Sequence, residues 1–329
     1  MSNALPTTMT AWMQDRYGGP DVVRRVTAPV PTPRPGEVLM RVGAASLNSA
    51  DVRIMRGLPL LVRLAFGVRR PRTPIPGRDV AGVVVATGPV VTALRTGDRV
   101  AGEISGGALA EFVACPADRL TRVPAEVDDA AAAALPLAGG TAWQALDLAE
   151  VAAGDRVLVL GAGGGVGTFA VRLAVLWGAV VHALCSPRAI PAVTGLGPDE
   201  VGSREIDLES LPPGEFDAVI DLGGRAPLRS LERLLRQGGS VVSVAGGENR
   251  VVGPLGRMLR GAILSLGRGR RIRTLTAAAR PGITAQLFAL AASGDLRPVI
   301  EATHALAGAG DALARVDAGG VVGKVIVTA

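Results

Sequence analysis

Lysine is almost absent from this chain: of 35 basic residues, Lys324 alone is a lysine and the rest are arginine. With abundant Ala, Val and Gly, that skew reads as compositional bias rather than as a face built for nucleic acid. The net charge of +6 allows attraction of anionic ligands without requiring it. Histidine and cysteine are equally scarce, with His182 and His304, Cys115 and Cys185 as the whole supply. Two cysteines cannot build a four-cysteine structural zinc site, and this donor supply argues against catalytic zinc as well. Also missing is a secretory leader: "MSNALPTTMTAWM" has no basic start and no long apolar run. The most apolar long segment is interrupted by Arg257 and Arg260, each costing about 3 kcal/mol at a bilayer centre, so no transmembrane span is expected. The expected location is the cytoplasm. Neither an internal repeat nor a low-complexity linker is present.

What is there is globular. A chain of 329 residues with 48% hydrophobic content, 44 glycines and 23 prolines makes a large core with many turns, most naturally in two domains. The most informative stretch is "VLVLGAGGGVGTFAVRLAVLWG", residues 157–178. Four consecutive apolar residues before a turn suggest a strand buried on both faces. After the turn, Val166, Phe169, Ala170, Leu173, Leu176 and Trp177 recur at helical spacing. Strand, tight turn and helix make a phosphate site, because N–H groups at the helix start and the helix dipole favour an anion. Gly161, Gly164 and Gly167 stand three apart with Gly163 and Gly165 between them, close to the dinucleotide fingerprint without matching it letter for letter. A ligand-free strand-to-helix turn is the competing reading. A second strand, "AVVHALC", follows as the motif requires.

The end of that strand separates NAD from NADP. An NAD site places an acid there for the ribose hydroxyls. This chain reads Cys185-Ser186-Pro187-Arg188, with no acid to repel a 2′-phosphate. Ser186 can donate a hydrogen bond and Arg188 a charge-assisted pair, so NADPH is the expected cofactor, the competing reading of Arg188 being a solvated charge.

Along the chain, "VLMRVGAA", "DVAGVVVATG", "GDRVAGE" and "ALAEFVAC" read as short strands of an irregular, barrel-like β domain. From "DDAAAAALPLAGGTAWQALDLA" the pattern becomes α/β, implying a doubly wound sheet. The spacing predicts a helix over "PLRSLERLLRQGG", with Leu228, Leu231, Leu234 and Leu235 on one side and Gly238-Gly239 as its C-terminal cap. The tail offers the helix "ITAQLFALAASG" and the strand "GKVIVTA", expected to fold back onto the first domain.

Taken in order, "VGAASLNSADVRIMRG", "PIPGRDVAGVVVATGPVVTALRTGDRVAGE", "AAALPLAGGTAWQAL", "GAGGGVGTFAVRLA" and "GKVIV" resemble the medium-chain dehydrogenase/reductase superfamily. Within it the chain resembles the zinc-free quinone oxidoreductase group. "NRVVGPLGRMLRGAIL" further resembles the branch of chloroplast-envelope quinone oxidoreductase homologues and their bacterial relatives. The resemblance implies an α/β fold: a Rossmann domain at 131–276 between two parts, 1–130 and 277–329, of a GroES-like catalytic domain. It also implies a homodimer.

Zinc-dependent members carry Gly-His-Glu where this chain has Gly77-Arg78-Asp79, and Asn48-Ser49 stands where their first cysteine ligand would be. The resemblance places Asn48 at the cleft floor and Thr141 near the nicotinamide, with a turn role and a helix cap as the respective alternatives. Main-chain N–H groups of Gly163, Gly164, Gly165 and Val166 would take the pyrophosphate, with Leu222, Ala245 and Gly246 just after later strands. Two segments depart from the family pattern: "TGLGPDEVGSREIDLESL", on the adenine side, and "DAGGVVGK", which lacks the histidine and arginine usual before Gly-Lys.

Without zinc, a simple ketone is a less natural acceptor than a quinone or α,β-unsaturated carbonyl, whose conjugation spreads the negative charge left by the hydride. Arg53 and Arg56 are candidates for stabilising that anion and Tyr17, the only tyrosine, for donating a proton. Structural roles compete for all three. The arginine-rich 257–273 is open between a lid, a site for a CoA or carrier phosphate, and a contact with an anionic membrane surface. The leading expectation is an NADPH-dependent reductase of a small electrophile, free or bound to CoA or a carrier. The alternatives are a tailoring enzyme of the same fold and a non-catalytic NADPH-binding protein.

Overall fold

The computed structural model describes residues 5–244, Gly256 and residues 271–329. The short runs of the first third become β1 (Thr8–Met13), β2 (Arg24–Pro29), β3 (Glu37–Leu47), β4 (Asp79–Thr87), β5 (Arg99–Glu103), β6 (Phe112–Pro116) and β7 (Leu120–Arg122). Helices α1 (Ser49–Arg56) and α2 (Val62–Phe66) follow β3. Two strands from the chain end, β14 (Ile300–Ala305) and β15 (Lys324–Thr328), join them in a sheet ordered β14-β15-β3-β4-β5-β7, with β6 also on β3. The tail therefore does fold back: β15 runs antiparallel to β3, with Val325 opposite Leu47. Side chains of β3 alternate between two cores, as a strand's period of two dictates. Val38, Met40 and Val42 pack with Val80 and Val100, while Leu39 packs under the β1–β2 ribbon with Ala11 and Phe112.

The second sheet holds β8 (Arg156–Leu160), β9 (Val180–Cys185), β10 (Glu200–Ser203), β11 (Phe216–Asp221), β12 (Leu235–Ser243) and β13 (Arg271–Thr274). Every neighbouring pair is parallel, in the order β10-β9-β8-β11-β12-β13. This is the doubly wound order, in which direction reverses between β8 and β11 and opens a crevice at the strands' carboxyl ends. β8 is buried on both faces. Val157 and Val159 meet Phe169 and Leu173 of α5 (Gly165–Leu176), and Leu158 meets Leu231 and Leu234 on the other side.

One sequence expectation needs correction. The predicted helix ending at Gly238-Gly239 stops earlier: it spans Leu228–Leu234, and β12 begins at Leu235. The glycines sit in a bulge of that strand, between the pairs Leu235–Phe216 and Ser240–Ala218, where Gly238 has φ +83°. A left-handed glycine suits a bulge as well as a cap, so the doublet alone could not choose. The alanine-rich segment is two helices, Asp129–Ala134 and Pro136–Leu148, because Pro136 starts a new first turn.

Candidate functional site

The glycine turn lies at the crevice between β8 and β11. Gly161 has φ +85°, and its N–H and that of Ala162 both donate to the Leu184 carbonyl at 3.0 Å, tying the turn to β9. A Cβ at Gly167 would stand 2.2 Å from the Gly161 carbonyl oxygen, so only glycine lets α5 pack this tightly on the turn. A Cβ at Gly163 would stand 2.4 Å from that of Ala189, which puts the 185–189 loop with Ser186 and Arg188 directly against the turn. The first N–H to bond back at helical spacing is that of Thr168, to the Gly164 carbonyl at 2.9 Å. The N–H groups of Gly165, Val166 and Gly167 precede it and face the crevice end of the helix, as a pyrophosphate requires. The local geometry fits a dinucleotide.

Beneath the turn is a cleft of about 250 Å³ walled by Gly164, Gly165, Val166, Leu222, Leu137 and the Gly319–Gly320 loop. Its floor carries Asn48 and Lys324. Lys324 is only 2% exposed, and its ammonium donates to Asn48 Oδ1 and stands 3.7 Å from Asp79 Oδ2. Asn48 Nδ2 donates to that same Asp79 oxygen at 2.9 Å, while Asp79 Oδ1 accepts the Leu137 N–H at 3.0 Å. Asp51 closes the group by accepting the Asn48 N–H at 2.8 Å, a capping box at the start of α1. Burial pushes the Asp79 carboxyl up to about 7, against the pull of Lys324. Burial likewise lowers the affinity of Lys324 for its proton, opposed by Asp79 and Asp51.

Two elements hold Lys324 in place. Gly323, with φ +72°, donates its N–H to the Gly163 carbonyl at 2.9 Å, so the chain end is bonded to the glycine turn itself. The Lys324 stem then passes under α5, where a Cβ on Gly165 would lie 3.1 Å from Lys324 Cδ.

Of the expected site residues, the structure brings Asn48, Gly164, Gly165, Val166 and Leu222 to one cleft. Thr141 is one turn beyond Leu137, with its hydroxyl donating to the Leu137 carbonyl at 2.6 Å. Arg188 borders the turn but pairs with Glu301 at 2.5 Å. Tyr17 is elsewhere, its hydroxyl on the Gly67 carbonyl and its ring under Arg63 at 4.6 Å. Arg53 is exposed, and Arg56 pairs with Asp317 at 2.5 Å. None of these three lines the cleft. Ala245, Gly246 and positions 257–270 lie outside the described residues.

Lys324 at this floor, and Asp79 bonded behind it, are not among the expected site residues. The signal was available, since an otherwise lysine-free chain keeps one lysine in "GKVIV". Arg78, in the position of a zinc-binding histidine, has no lone pair for a metal and pairs with Glu103 at 2.6 Å. Among the described residues no cluster of His, Cys, Asp and Glu could hold a metal, and no helix is long and apolar enough to cross a membrane.

Comparison with known proteins agrees with this geometry. Residues 34–125 match the alcohol dehydrogenase GroES-like domain, and residues 196–327 match the family described as zinc-binding dehydrogenase. The chain is 34% identical over 337 residues to the chloroplast envelope quinone oxidoreductase homolog of Arabidopsis thaliana, covering 97% of this chain and 98% of that protein. It is 34% identical over 256 residues to the NADPH-dependent alkenal/one oxidoreductase of the same plant, covering 74% of this chain and 64% of that protein. Among solved structures, the quinone oxidoreductase from Coxiella burnetii superposes with a TM-score of 0.85 at 29% identity, covering 98% of this chain and 99% of that one. The chain belongs to the medium-chain dehydrogenase/reductase superfamily, in its zinc-independent quinone oxidoreductase group, and is an oxidoreductase enzyme of that type.

Proposed function

We propose that the enzyme transfers a hydride from NADPH to a quinone or to the conjugated alkene of an α,β-unsaturated carbonyl. The observation that carries this reading is the cleft floor. A buried ammonium and amide line the space beneath a phosphate-binding turn, with the Asp79 carboxylate bonded behind them and arginine in place of a metal-binding histidine. When bound, NADPH supplies the hydride. The first-turn N–H groups of α5 hold its pyrophosphate, Leu222 and Leu137 wall the cleft against water, and Asn48 fixes the floor. A fixed cation at that floor offsets the charge that develops on a conjugated acceptor. Related proteins named for quinones and for alkenals or enones support this acceptor class.

The NADPH preference rests on Ser186 and Arg188 beside the turn. Arg188 is 59% exposed and shares Glu301 with Arg315, so its side chain can exchange that carboxylate for a 2′-phosphate. Screening limits the gain at such an exposed site. Arg188→Ala is expected to weaken NADPH binding about fivefold, a loss of about 1 kcal/mol, and to leave NADH binding unchanged. Calorimetry with both nucleotides checks this, and equal effects on both would remove Arg188 from the 2′-phosphate.

Oxidation of NADPH at 340 nm with a quinone and with an enone tests the reaction. Turnover is the expected result. A product of unchanged oxidation state would favour a tailoring reaction, and tight nucleotide binding without turnover a non-catalytic role. The family resemblance carries the expectation of a homodimer, which sedimentation would read.

A further inference from the structure

We infer that Lys324 is the acid that completes reduction of a conjugated carbonyl, giving its proton to the carbon next to the carbonyl group. The inference rests on the hydride-transfer reading above and adds the source of the second hydrogen.

The chemistry begins with residue type. Arginine is never deprotonated in neutral water, whereas a lysine ammonium can release a proton and take it back. This chain uses arginine at every other basic position and lysine only at 324. Its location is equally specific, at the floor of the cleft between Asn48 and the first residues of α5. An ammonium has three N–H donors. Among the described residues Asn48 Oδ1 and Asp79 Oδ2 are its only polar partners, which leaves one donor for a ligand in the cleft.

The surroundings aim and tune the group. Asn48 holds both Lys324 and Asp79, and Asp79 is itself fixed by the Leu137 N–H. The charged groups facing Lys324 are Asp79 on β4 and Asp51 on α1, with Arg78 acting on Asp51 and Glu103 on Asp79. Burial favours loss of the proton and the two carboxylates oppose it, the balance lying below the ordinary lysine value.

The step balances. As NADPH becomes NADP⁺, the β-carbon of the acceptor gains the hydride and its π electrons become an enolate. One Lys324 N–H bond breaks as a C–H bond forms at the α-carbon. The neutral amine recovers a proton from water when product leaves. The net reaction adds a hydride and a proton to the alkene. A quinone needs less, because its reduced oxygens take protons directly from solvent.

Three measurements on the full chain test this. First, reduction of a 2-substituted cyclic enone in D₂O by the wild type should place deuterium on one face of the α-carbon. Second, Lys324→Arg keeps the charge and removes the transferable proton. It should lower enone reduction by about a hundredfold or more and quinone reduction by no more than about tenfold, with NADPH affinity retained. Lys324→Met provides a second variant, with thermal melting to certify its fold. Third, ¹⁵N-lysine labelling gives a single side-chain signal, whose titration without cofactor should fall below that of a free lysine. Deuterium on both faces, wild-type enone reduction by Lys324→Arg, or equal loss with both acceptors overturns the assignment. So does NADPH affinity lost in Lys324→Met and kept in Lys324→Arg, which would make Lys324 a phosphate clamp. Absence of NADPH oxidation by the wild type with either acceptor instead removes the hydride-transfer reading, and the inference with it.

Discussion

Gly167→Ala is expected to cost about 3 kcal/mol of stability, the upper part of the range for forcing extra atoms into a filled interior. The added methyl would sit 2.2 Å from the Gly161 carbonyl oxygen and 2.7 Å from the Ala162 backbone, and neither belongs to a flexible side chain. To relieve that contact α5 must move off β8, which carries the first-turn N–H groups away from the place proposed for a pyrophosphate. Thermal melting should therefore drop by roughly 6–12 °C, with NADPH affinity falling in the same variant. Gly140→Ala is the matched control. It places the same methyl in another buried helix, where no heavy atom lies within 4 Å, and should stabilise by about 0.5–1 kcal/mol through loss of unfolded-state freedom. Equal effects at the two positions would mean that the turn tolerates what the geometry forbids.

The second large effect is at the cleft floor. Asp79→Leu leaves the Lys324 ammonium buried without its carboxylate and strips an acceptor from both Asn48 and Leu137. Breaking a buried ion pair on one side costs about 3–5 kcal/mol, whereas replacing both partners with apolar groups is far milder. The double variant Asp79→Leu/Lys324→Met should thus be more stable than the sum of the single losses by about 2 kcal/mol in denaturant unfolding. Additivity would show that the two groups do not interact. The pH dependence has a defined sign. Because burial raises the Asp79 carboxyl to about 7, its contribution to stability is greatest when it is protonated, and declines as pH rises from the ordinary carboxylate range toward 7. Asp79→Asn cannot titrate, so relative to wild type it should gain stability across that interval. A constant difference between the two proteins would place the Asp79 titration elsewhere.

Local patterns carried much of the fold into the sequence. Val157–Leu160, the glycine turn and the spacing of Phe169 and Leu173 determine strand, bend and helix within about twenty residues, and the structure contains all three. The site was legible to the same extent. Asn48 and the turn glycines have local signatures, whereas Lys324 acquires its environment only when β15 pairs with β3 and brings it to a residue 276 positions away. The Arg188–Glu301 pair spans 113 positions and was hidden for the same reason. Residue type points Tyr17 and Arg53 toward chemistry, but the Tyr17 hydroxyl is taken by the Gly67 carbonyl at the end of α2 and Arg53 faces solvent. Gly238-Gly239 signalled a break in regular structure without specifying whether a helix or a strand was being interrupted.

The burial of Lys324 has a consequence beyond the reaction. Apart from an amino terminus, this chain offers one primary amine, and in the folded state that amine lies under α5 with 2% of its surface exposed. Reagents that acylate, biotinylate or cross-link lysine reach it in the native state only through the cleft beneath the glycine turn. With a reagent too bulky for that cleft, incorporation at position 324 records that β15 has come away from the glycine turn. The mass of the peptide carrying position 324, followed against time, would thus report the opening of this interior without any probe attached beforehand.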